Sequence, residues 1–181
     1  MKQKPRILRT RTVASSRLFR IEELELRFAN GVETRYERLA GTAHGAVLIV
    51  PRLEGDTVLL IREYAAGVHR YELGLPKGRI EEGEDVLAAA NREMMEEVGY
   101  AARSLRTLAS LTLAPGYFGH TTHVVLAEDL HPQRREGDEP EEIEVVPWRL
   151  SELDRLLARD DISEARSIAA LFMARERLSH E

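Results

Sequence analysis

The stretch GRIEEGEDVLAAANREMMEEVGY, residues 78–100, decides the fold of this chain. It begins as a loop that carries Gly78 and Gly83, and from about Asp85 it changes to residues that favour a helix with an acidic first turn. On a period of 3.6 residues, one face of this helix is apolar and another collects three glutamates. The apolar face contains Leu87, Ala90, Met94 and Val98, and the acidic face contains Glu93, Glu96 and Glu97.

Three carboxylates at spacings of three and four residues repel one another, by roughly 0.2–0.5 kcal/mol per pair. A divalent cation such as Mg²⁺ would offset this repulsion, because it prefers hard oxygen ligands on a rigid element. The competing interpretation is an ordinary solvated acidic face, steadied by a pair between Arg92 and Glu96 at i,i+4. The helix alone does not decide between the two interpretations, whereas the whole stretch does.

The whole stretch resembles the signature of the Nudix hydrolase family, G-x5-E-x7-R-E-U-x-E-E-x-G-U, in which U is a bulky apolar residue. The fixed positions are all filled, by Gly78, Glu84, Arg92, Glu93, Met94, Glu96, Glu97, Gly99 and Tyr100. The resemblance implies metal ligation by Glu93 and Glu97 with assistance from Glu96, a further ligand in the backbone carbonyl of Lys77, and an Arg92 that orients the carboxylates. The implied cofactor is Mg²⁺, for which Mn²⁺ can substitute.

Length and composition restrict the alternatives. The chain has 181 residues, which is enough for one domain with a substantial core, and we predict a single domain over residues 1–181. A formal charge of −5 argues against general affinity for nucleic acids, and the absence of cysteine excludes disulfides and thiolate metal sites. The sequence lacks a signal peptide and an apolar run of about 18 residues, so we expect no membrane association and a cytoplasmic location.

Hydrophobic periodicity predicts an α/β protein. Residues 20–39 alternate around Asn30-Gly31, which predicts a β-hairpin within an N-terminal β arm of residues 1–40. Further strands are predicted at 46–50, 57–61, 107–113, 122–127 and 142–148, a loop at 131–142, and helices at about 151–159 and 163–178. Strands on both sides of the signature helix, followed by terminal helices, indicate a mixed sheet covered on both faces. This pattern is compatible with the α/β/α sandwich that the Nudix resemblance implies.

A second group of acids lies in the loop EGDEPEE, residues 136–142. By composition alone this loop could simply be a solvated acidic segment. The resemblance extends to the ADP-ribose pyrophosphatase branch of the family, in which two loop acids complete the site. By position these are Glu139, as the base that takes a proton from the attacking water, and Glu141, as a further metal ligand.

Four residues are candidates for substrate binding by the same resemblance. Arg62 matches an arginine that contacts phosphate, although an arginine at a strand end is often only a surface residue. Phe19 and Tyr36, with Glu37 beside the latter, match aromatic positions that hold adenine in dimeric relatives; the competing interpretation of Tyr36 is packing within the hairpin. We therefore predict a homodimer that uses residues 1–40 as its dimerisation element.

The predicted function is Mg²⁺-dependent cleavage of the pyrophosphate linkage in ADP-containing compounds, with release of AMP. The chain has GLPKG and REYA where many ADP-ribose pyrophosphatases have ELPAG and RQYR, so one acid and one arginine are missing. These differences argue against ADP-ribose as the sole substrate. The chain resembles a subgroup of the family whose substrates are ADP-ribose, diadenosine polyphosphates and NADH, and this resemblance implies the same range here. The alternatives are hydrolysis of sugar nucleotides or nucleoside triphosphates, and a Nudix domain that senses a nucleotide without cleaving it.

Overall fold

The computed structural model describes residues 2–41 and 44–180. The chain folds as two compact units, one made of residues up to 41 together with 112–121, and the other of residues 44–111 and 122–180. Within the described ranges, no helix is long and apolar enough to cross a membrane. Whether the whole chain behaves as a single domain stays a prediction.

The N-terminal unit is a three-stranded antiparallel sheet in the order β1-β2-β3. Its strands are β1 (Arg6–Ser15), β2 (Arg20–Arg27) and β3 (Glu33–Leu39). The predicted hairpin is confirmed as β2 and β3, and Gly31 supplies the positive φ of 85° that their turn requires. The sequence pattern missed β1, because all ten of its residues are exposed and burial imposes no alternation on them.

The larger unit contains a seven-stranded mixed sheet and three α-helices. Its strands are β4 (Ala46–Glu54), β5 (Thr57–Ala65), β6 (Arg70–Gly74), β7 (Lys77–Arg79), β8 (Tyr100–Thr112), β9 (Thr121–Pro132) and β10 (Glu144–Arg149). Its helices are α1 (Val86–Glu97), α2 (Leu153–Leu157), which follows a 3₁₀ turn at Leu150–Glu152, and α3 (Ala165–Leu178).

The central strands β4 and β9 run parallel, and the main sheet order is β10-β5-β4-β9-β8. Strands β4 and β5 pair only near their connecting turn, through Arg52 with Val58 and Glu54 with Thr57. Beyond that turn, the start of β4 pairs with β7, while the end of β5 pairs with β6. This divergence allows the chain to pass from β6 to β7 and to deliver Lys77 to the start of the signature loop.

Two hydrophobic clusters confirm the sandwich. Alternate residues of β4, such as Leu48 and Val50, pack with helices α2 and α3, while Val47 and Ile49 pack with α1. Strands β5 and β9 divide their buried residues in the same way. A sheet whose two faces are both buried reads as continuous apolar runs, which is why VLIV and VLLI in this sequence show no polar alternation.

Helix α1 begins where the sequence predicts, but the expected acidic first turn is wrong, because the helix starts at Val86 and its first turn contains no acid. Asp85 is its N-cap, and the carboxylate accepts hydrogen bonds from the backbone N–H groups of Leu87 and Ala88 at 2.9 and 3.3 Å. The apolar stripe is buried at Ala90 and Met94, so α1 is fixed rigidly against the sheet. The acidic face of α1 is thereby directed away from this core.

Candidate active site

The carboxylates of α1 and those of the loop after β9 line one cavity of about 370 Å³. From the helix come Glu93, Glu96 and Glu97, and from the loop come Glu136, Asp138, Glu139, Glu141 and Glu142. Two stretches predicted separately from the sequence therefore lie at one place. The cavity also contains two cations that the sequence did not suggest, Arg134 and Arg135.

Backbone contacts hold the start of the loop against the end of α1. The N–H of Gln133 donates to the carbonyl of Gly99 at 3.0 Å, and the N–H of Arg135 donates to the carbonyl of Met95 at 3.1 Å. A Cβ at Gly137 would lie 3.5 Å from the Cβ of Glu96, so this part of the loop follows the helix surface closely. These contacts carry the loop from α1 towards Glu139 and Glu141.

Arg92 contacts acids of the signature stretch and does not line the cavity. Its guanidinium donates to both oxygens of Glu84 at 2.9 and 3.0 Å, to Glu93 at 2.7 Å and to Glu96 at 3.1 Å. It also donates to the carbonyl of Arg79 at 2.9 Å. The hydrogen bonds to Glu84, despite the opposing effect of burial, raise the pKa of Arg92. This arrangement suits the predicted role of orienting carboxylates.

Glu93 lies directly against the backbone of Gly78. A Cβ built at Gly78 would come within 1.9 Å of the carboxyl carbon of Glu93, so any larger residue would displace that side chain. Burial raises the pKa of Glu93, opposed by the hydrogen bond from Arg92. Glycine at position 78 therefore leaves the space that the carboxylate of Glu93 occupies.

Glu97 is the most buried of these acids, with 5% of the residue exposed. One of its oxygens accepts a hydrogen bond from the backbone N–H of Lys77 at 2.8 Å. Burial raises the pKa of Glu97 to about 8, although the charge and the backbone N–H of Lys77 lower it, and the negative charges of Glu63 and Glu93 add to the effect of burial. Folding thus places a carboxyl group where its ionised form is disfavoured unless positive charge is nearby.

Glu63 on β5 was not identified from the sequence. It forms an ion pair with the ammonium group of Lys77 on β7. Burial raises the pKa of the nearby Glu139, and the charges of Glu63 and Asp138 raise it further, while Lys77 lowers it. The pair joins residues 14 positions apart on strands that are not hydrogen-bonded neighbours, so no local pattern could have indicated it.

Glu141 and Arg62 border a second cavity of about 220 Å³, which shares Glu139, Glu141, Glu142 and Ile143 with the first. The hydroxyl of Tyr71 donates to Glu141 at 2.7 Å. Arg62 donates to Glu144 at 2.8 Å and to Asp161 at 2.5 Å. Its guanidinium is therefore engaged by two carboxylates, with which a substrate phosphate would have to compete.

Phe19, Tyr36 and Glu37 belong to the N-terminal unit. Phe19 lies in the turn between β1 and β2, where its N–H donates to the hydroxyl of Ser16 at 3.0 Å. Tyr36 lies in β3 opposite Leu24, and its ring centroid is 6.5 Å from that of Phe28. Both aromatic side chains are about half exposed. Their role in holding adenine stays a prediction.

The donor set fits a divalent cation by its chemistry. Within the described part of the chain, no three acidic or histidine side chains already converge as ligands around one point. Arg92 and the N–H of Lys77 hold the carboxylates of Glu93, Glu96 and Glu97 instead. All the candidate side-chain ligands are nevertheless hard oxygen donors on one cavity, and the crowded negative charge favours a bound cation.

The sandwich fold and the carboxylates around this cavity define a metal-dependent hydrolase of the Nudix family. The family model described as "NUDIX domain" matches residues 42–172, so the chain belongs to the Nudix family. A second model, described as "NudE-type Nudix hydrolase N-terminal domain", matches residues 5–38.

Individual relatives are similar over nearly the full length. The chain is 50% identical over 174 residues to ADP compounds hydrolase NudE of Escherichia coli (strain K12), which covers 96% of this chain and 93% of that protein. It is 27% identical over 173 residues to an ADP-ribose pyrophosphatase of Bacillus subtilis (strain 168), which covers 91% of each chain. A crystal structure of an ADP compounds hydrolase matches with a TM-score of 0.92 and 49% identity, covering 99% of this chain and 97% of that one.

Proposed function

We propose that this chain hydrolyses the pyrophosphate linkage of ADP-containing compounds and releases AMP. The observation that carries the proposal is the single cavity that joins the acids of α1 with those of the loop after β9. The similarity to an ADP compounds hydrolase over 96% of the chain supports the substrate class.

Each acid in the cavity has a proposed task. Glu93, Glu97, Glu141 and the carbonyl of Lys77 would hold Mg²⁺, with Glu96 assisting. Mg²⁺ bound there would neutralise the diphosphate and lower the pKa of a bound water molecule. Glu139 accepts the proton of the attacking water, and its raised pKa makes it a stronger base near neutral pH. Arg92 keeps Glu93 and Glu96 in place through its hydrogen bonds.

A substrate panel tests this proposal. The release of AMP from ADP-ribose, NADH and diadenosine triphosphate is measured with Mg²⁺, beside the release of GMP from GDP-mannose, a compound without ADP. We expect turnover of the three ADP compounds to exceed that of GDP-mannose. A preference for GDP-mannose would favour a sugar-nucleotide hydrolase, and binding without turnover of any compound would favour a nucleotide sensor.

We also propose that residues 1–40 form a dimerisation element and that both units act as one hydrolase domain. Leu24 of β2 is buried within the monomer, so it does not need a partner. Other large apolar side chains of residues 1–40 remain exposed, namely Ile7, Leu8, Val13, Leu18, Phe19, Val32 and Tyr36. Apolar surface of this kind is typical of an interface. Sedimentation equilibrium at micromolar protein should give a dimer, and a monomer would contradict the proposal. The cytoplasmic location stays a prediction.

A further inference from the structure

Three rings that have no role in the proposed chemistry form a cluster at the end of the β5–β6 hairpin. Tyr64 and Tyr71 are direct cross-strand partners, and their ring centroids lie 5.8 Å apart in an edge-to-face arrangement. The ring of His69 meets Tyr64 in the same manner, with centroids 5.9 Å apart. We call Tyr64, His69 and Tyr71 the aromatic cluster.

Hydrogen bonds fix the orientation of the rings. The Tyr64 hydroxyl lies 2.6 Å from Nδ1 of His69, and the Tyr71 hydroxyl donates to Glu141. His69 adopts a positive φ of 54°, which is uncommon for a residue other than glycine and persists only where its surroundings support it. The cluster is therefore ordered in advance, which lowers the entropic cost of binding a ligand.

The rings are not covered by the protein. Tyr64 is 43% exposed and Tyr71 is 49% exposed, although both line the second cavity. Each edge-to-face contact uses the edge of one ring and a single face of the other, so ring surface remains open for another planar group. The same cavity contains Glu139 and Glu141, and the Tyr71 hydroxyl contacts Glu141 directly. Any ring bound at the cluster would thus lie beside the groups proposed to act on the diphosphate.

We propose that the aromatic cluster is a subsite that stacks a heteroaromatic ring of the nucleotide substrate. The proposal rests on the proposed function for the identity of that ring, since a nucleotide joins a planar base to a phosphate chain. The ring comes either from the adenine shared by all ADP compounds or from the second nucleoside of a dinucleotide. Both sources have the same chemistry, and aromatic side chains stack on any base.

The test replaces the ring of Tyr64, because Tyr71 also contacts Glu141 and its loss would disturb the catalytic loop. Tyr64→Leu removes the ring and Tyr64→Phe keeps it. The control Phe172→Leu removes a ring of α3 that borders a different cavity.

The affinity for NADH is measured by fluorescence in EDTA, where no hydrolysis occurs, and far-UV circular dichroism checks folding. We expect Tyr64→Leu to weaken NADH binding about tenfold, and clearly more than Tyr64→Phe, because one base–aromatic stack is lost. Phe172→Leu should bind as the wild type does.

The kcat/KM values with Mg²⁺ then identify the ring. An equal loss for ADP-ribose, NADH and diadenosine triphosphate assigns the subsite to adenine. A loss for the two dinucleotides without a loss for ADP-ribose assigns it to the second nucleoside. Equal NADH affinity in Tyr64→Leu and Tyr64→Phe overturns the proposal. It is also overturned if Tyr64→Leu weakens the binding of ribose 5-phosphate, which has no base, as much as it weakens the binding of NADH. Since the EDTA measurement needs no turnover, it remains decisive even if the wild type hydrolyses none of the three compounds.

Discussion

Acidic side chains in two regions of this molecule have opposite environments. In the cavity, burial and neighbouring carboxylates raise the pKa of Glu93, Glu97 and Glu139. On the α2–α3 side of the sheet, hydrogen bonds from Arg159 and Arg62 hold the pKa of Asp161 well below its usual range, against the opposing effect of burial. Cations therefore dominate the environment of Asp161, whereas in the cavity burial outweighs the lowering effects of Arg92 on Glu93 and of Lys77 on Glu97.

This difference separates groups that stabilise the fold from groups that serve chemistry. A carboxylate with a lowered pKa gains free energy on folding at neutral pH, whereas one with a raised pKa loses it. A chain selected for stability alone would not collect acids of the second kind in one cavity. Replacing acids in the two regions should therefore have opposite consequences, with activity lost in one case and stability in the other.

The largest effect is expected for Glu97→Gln. The amide keeps the shape and can still accept from the N–H of Lys77, but it lacks the charge proposed to hold Mg²⁺. We expect kcat to fall by about 10²–10⁴, because a metal ion supplies several kcal/mol of transition-state stabilisation. Steady-state assays at saturating Mg²⁺ measure this loss. Glu82→Gln, which removes an exposed carboxylate from the preceding loop, is the matched control and should keep its activity.

The same variant should gain stability without metal. Because the pKa of Glu97 is raised to about 8, the folded chain binds this proton more tightly than the unfolded chain does. Stability of the wild type in EDTA should therefore fall as pH rises from about 5 to about 8. Glu97→Gln should lose less stability over that interval in urea unfolding. A variant that is active within a few-fold of the wild type would show that this carboxylate is not needed for the reaction.

Glu139→Gln should reduce kcat by about 10²–10⁴ with little change in the Mg²⁺ concentration for half-maximal rate. A residue that only takes a proton contributes to catalysis and not to metal affinity. Titrations of rate against Mg²⁺ for wild type and variant provide the measurement. If the Mg²⁺ requirement rises while kcat is retained, Glu139 is a ligand and the base must be sought elsewhere, first at Glu96.

Compared with Glu139→Gln, Glu141→Gln is expected to lower kcat less and to raise the Mg²⁺ requirement more. As a direct ligand on a loop, it should raise the half-saturating Mg²⁺ concentration about tenfold. Calorimetric titration of Mg²⁺ into the protein without substrate gives an independent value. If the single variants Glu139→Gln and Glu141→Gln both behave as the wild type does, the loop has no part in the reaction and is only the solvated acidic segment that its composition suggests.

The sequence predicted the parts of this site that are local and missed those that depend on tertiary contact. The signature stretch places its glutamates at helical spacing, so the acidic face of α1 followed directly from the 3.6-residue period. The pairing of Glu63 with Lys77 depends on the divergence of β4 and β5, which no periodicity records. The three rings of the aromatic cluster likewise meet only because β5 and β6 pair in one register.

The end of the chain shows the same limit. The sequence predicts that the last helix begins at about residue 163, but the N-cap of α3 is Glu164, and the Ser163 hydroxyl donates to Glu72. Serine is an ordinary cap, so local preference favoured it over its neighbour. The hydroxyl of Ser167, in the first turn of α3, accepts a hydrogen bond from the N–H of Leu75 at 3.0 Å. This contact with a segment distant in sequence is absent from any local pattern that could indicate the start of the helix.

The smallest expected effect concerns this cap and lies entirely on the stability side of the comparison. Glu164 accepts hydrogen bonds from the N–H and the hydroxyl of the buried Ser167 at 2.7 and 2.8 Å, and from the side chain of Arg166 at 2.7 Å. Burial alone would raise the pKa of Glu164, but these hydrogen bonds and the Arg166 charge lower it. Its stabilising contribution is therefore complete above the unfolded-state pKa of about 4.3 and is lost as pH falls through the lower folded-state value.

We expect Glu164→Ala to cost about 1 kcal/mol of unfolding free energy at neutral pH, or about 2–4 °C in Tm. The Tm difference should narrow on acidification below about pH 4, and kcat should stay unchanged. Glu164→Gln, which keeps an acceptor for Ser167, should lose less than Glu164→Ala. A Tm difference that is constant with pH would mean that the carboxylate charge contributes nothing, and that this acid does not belong with those that stabilise the fold.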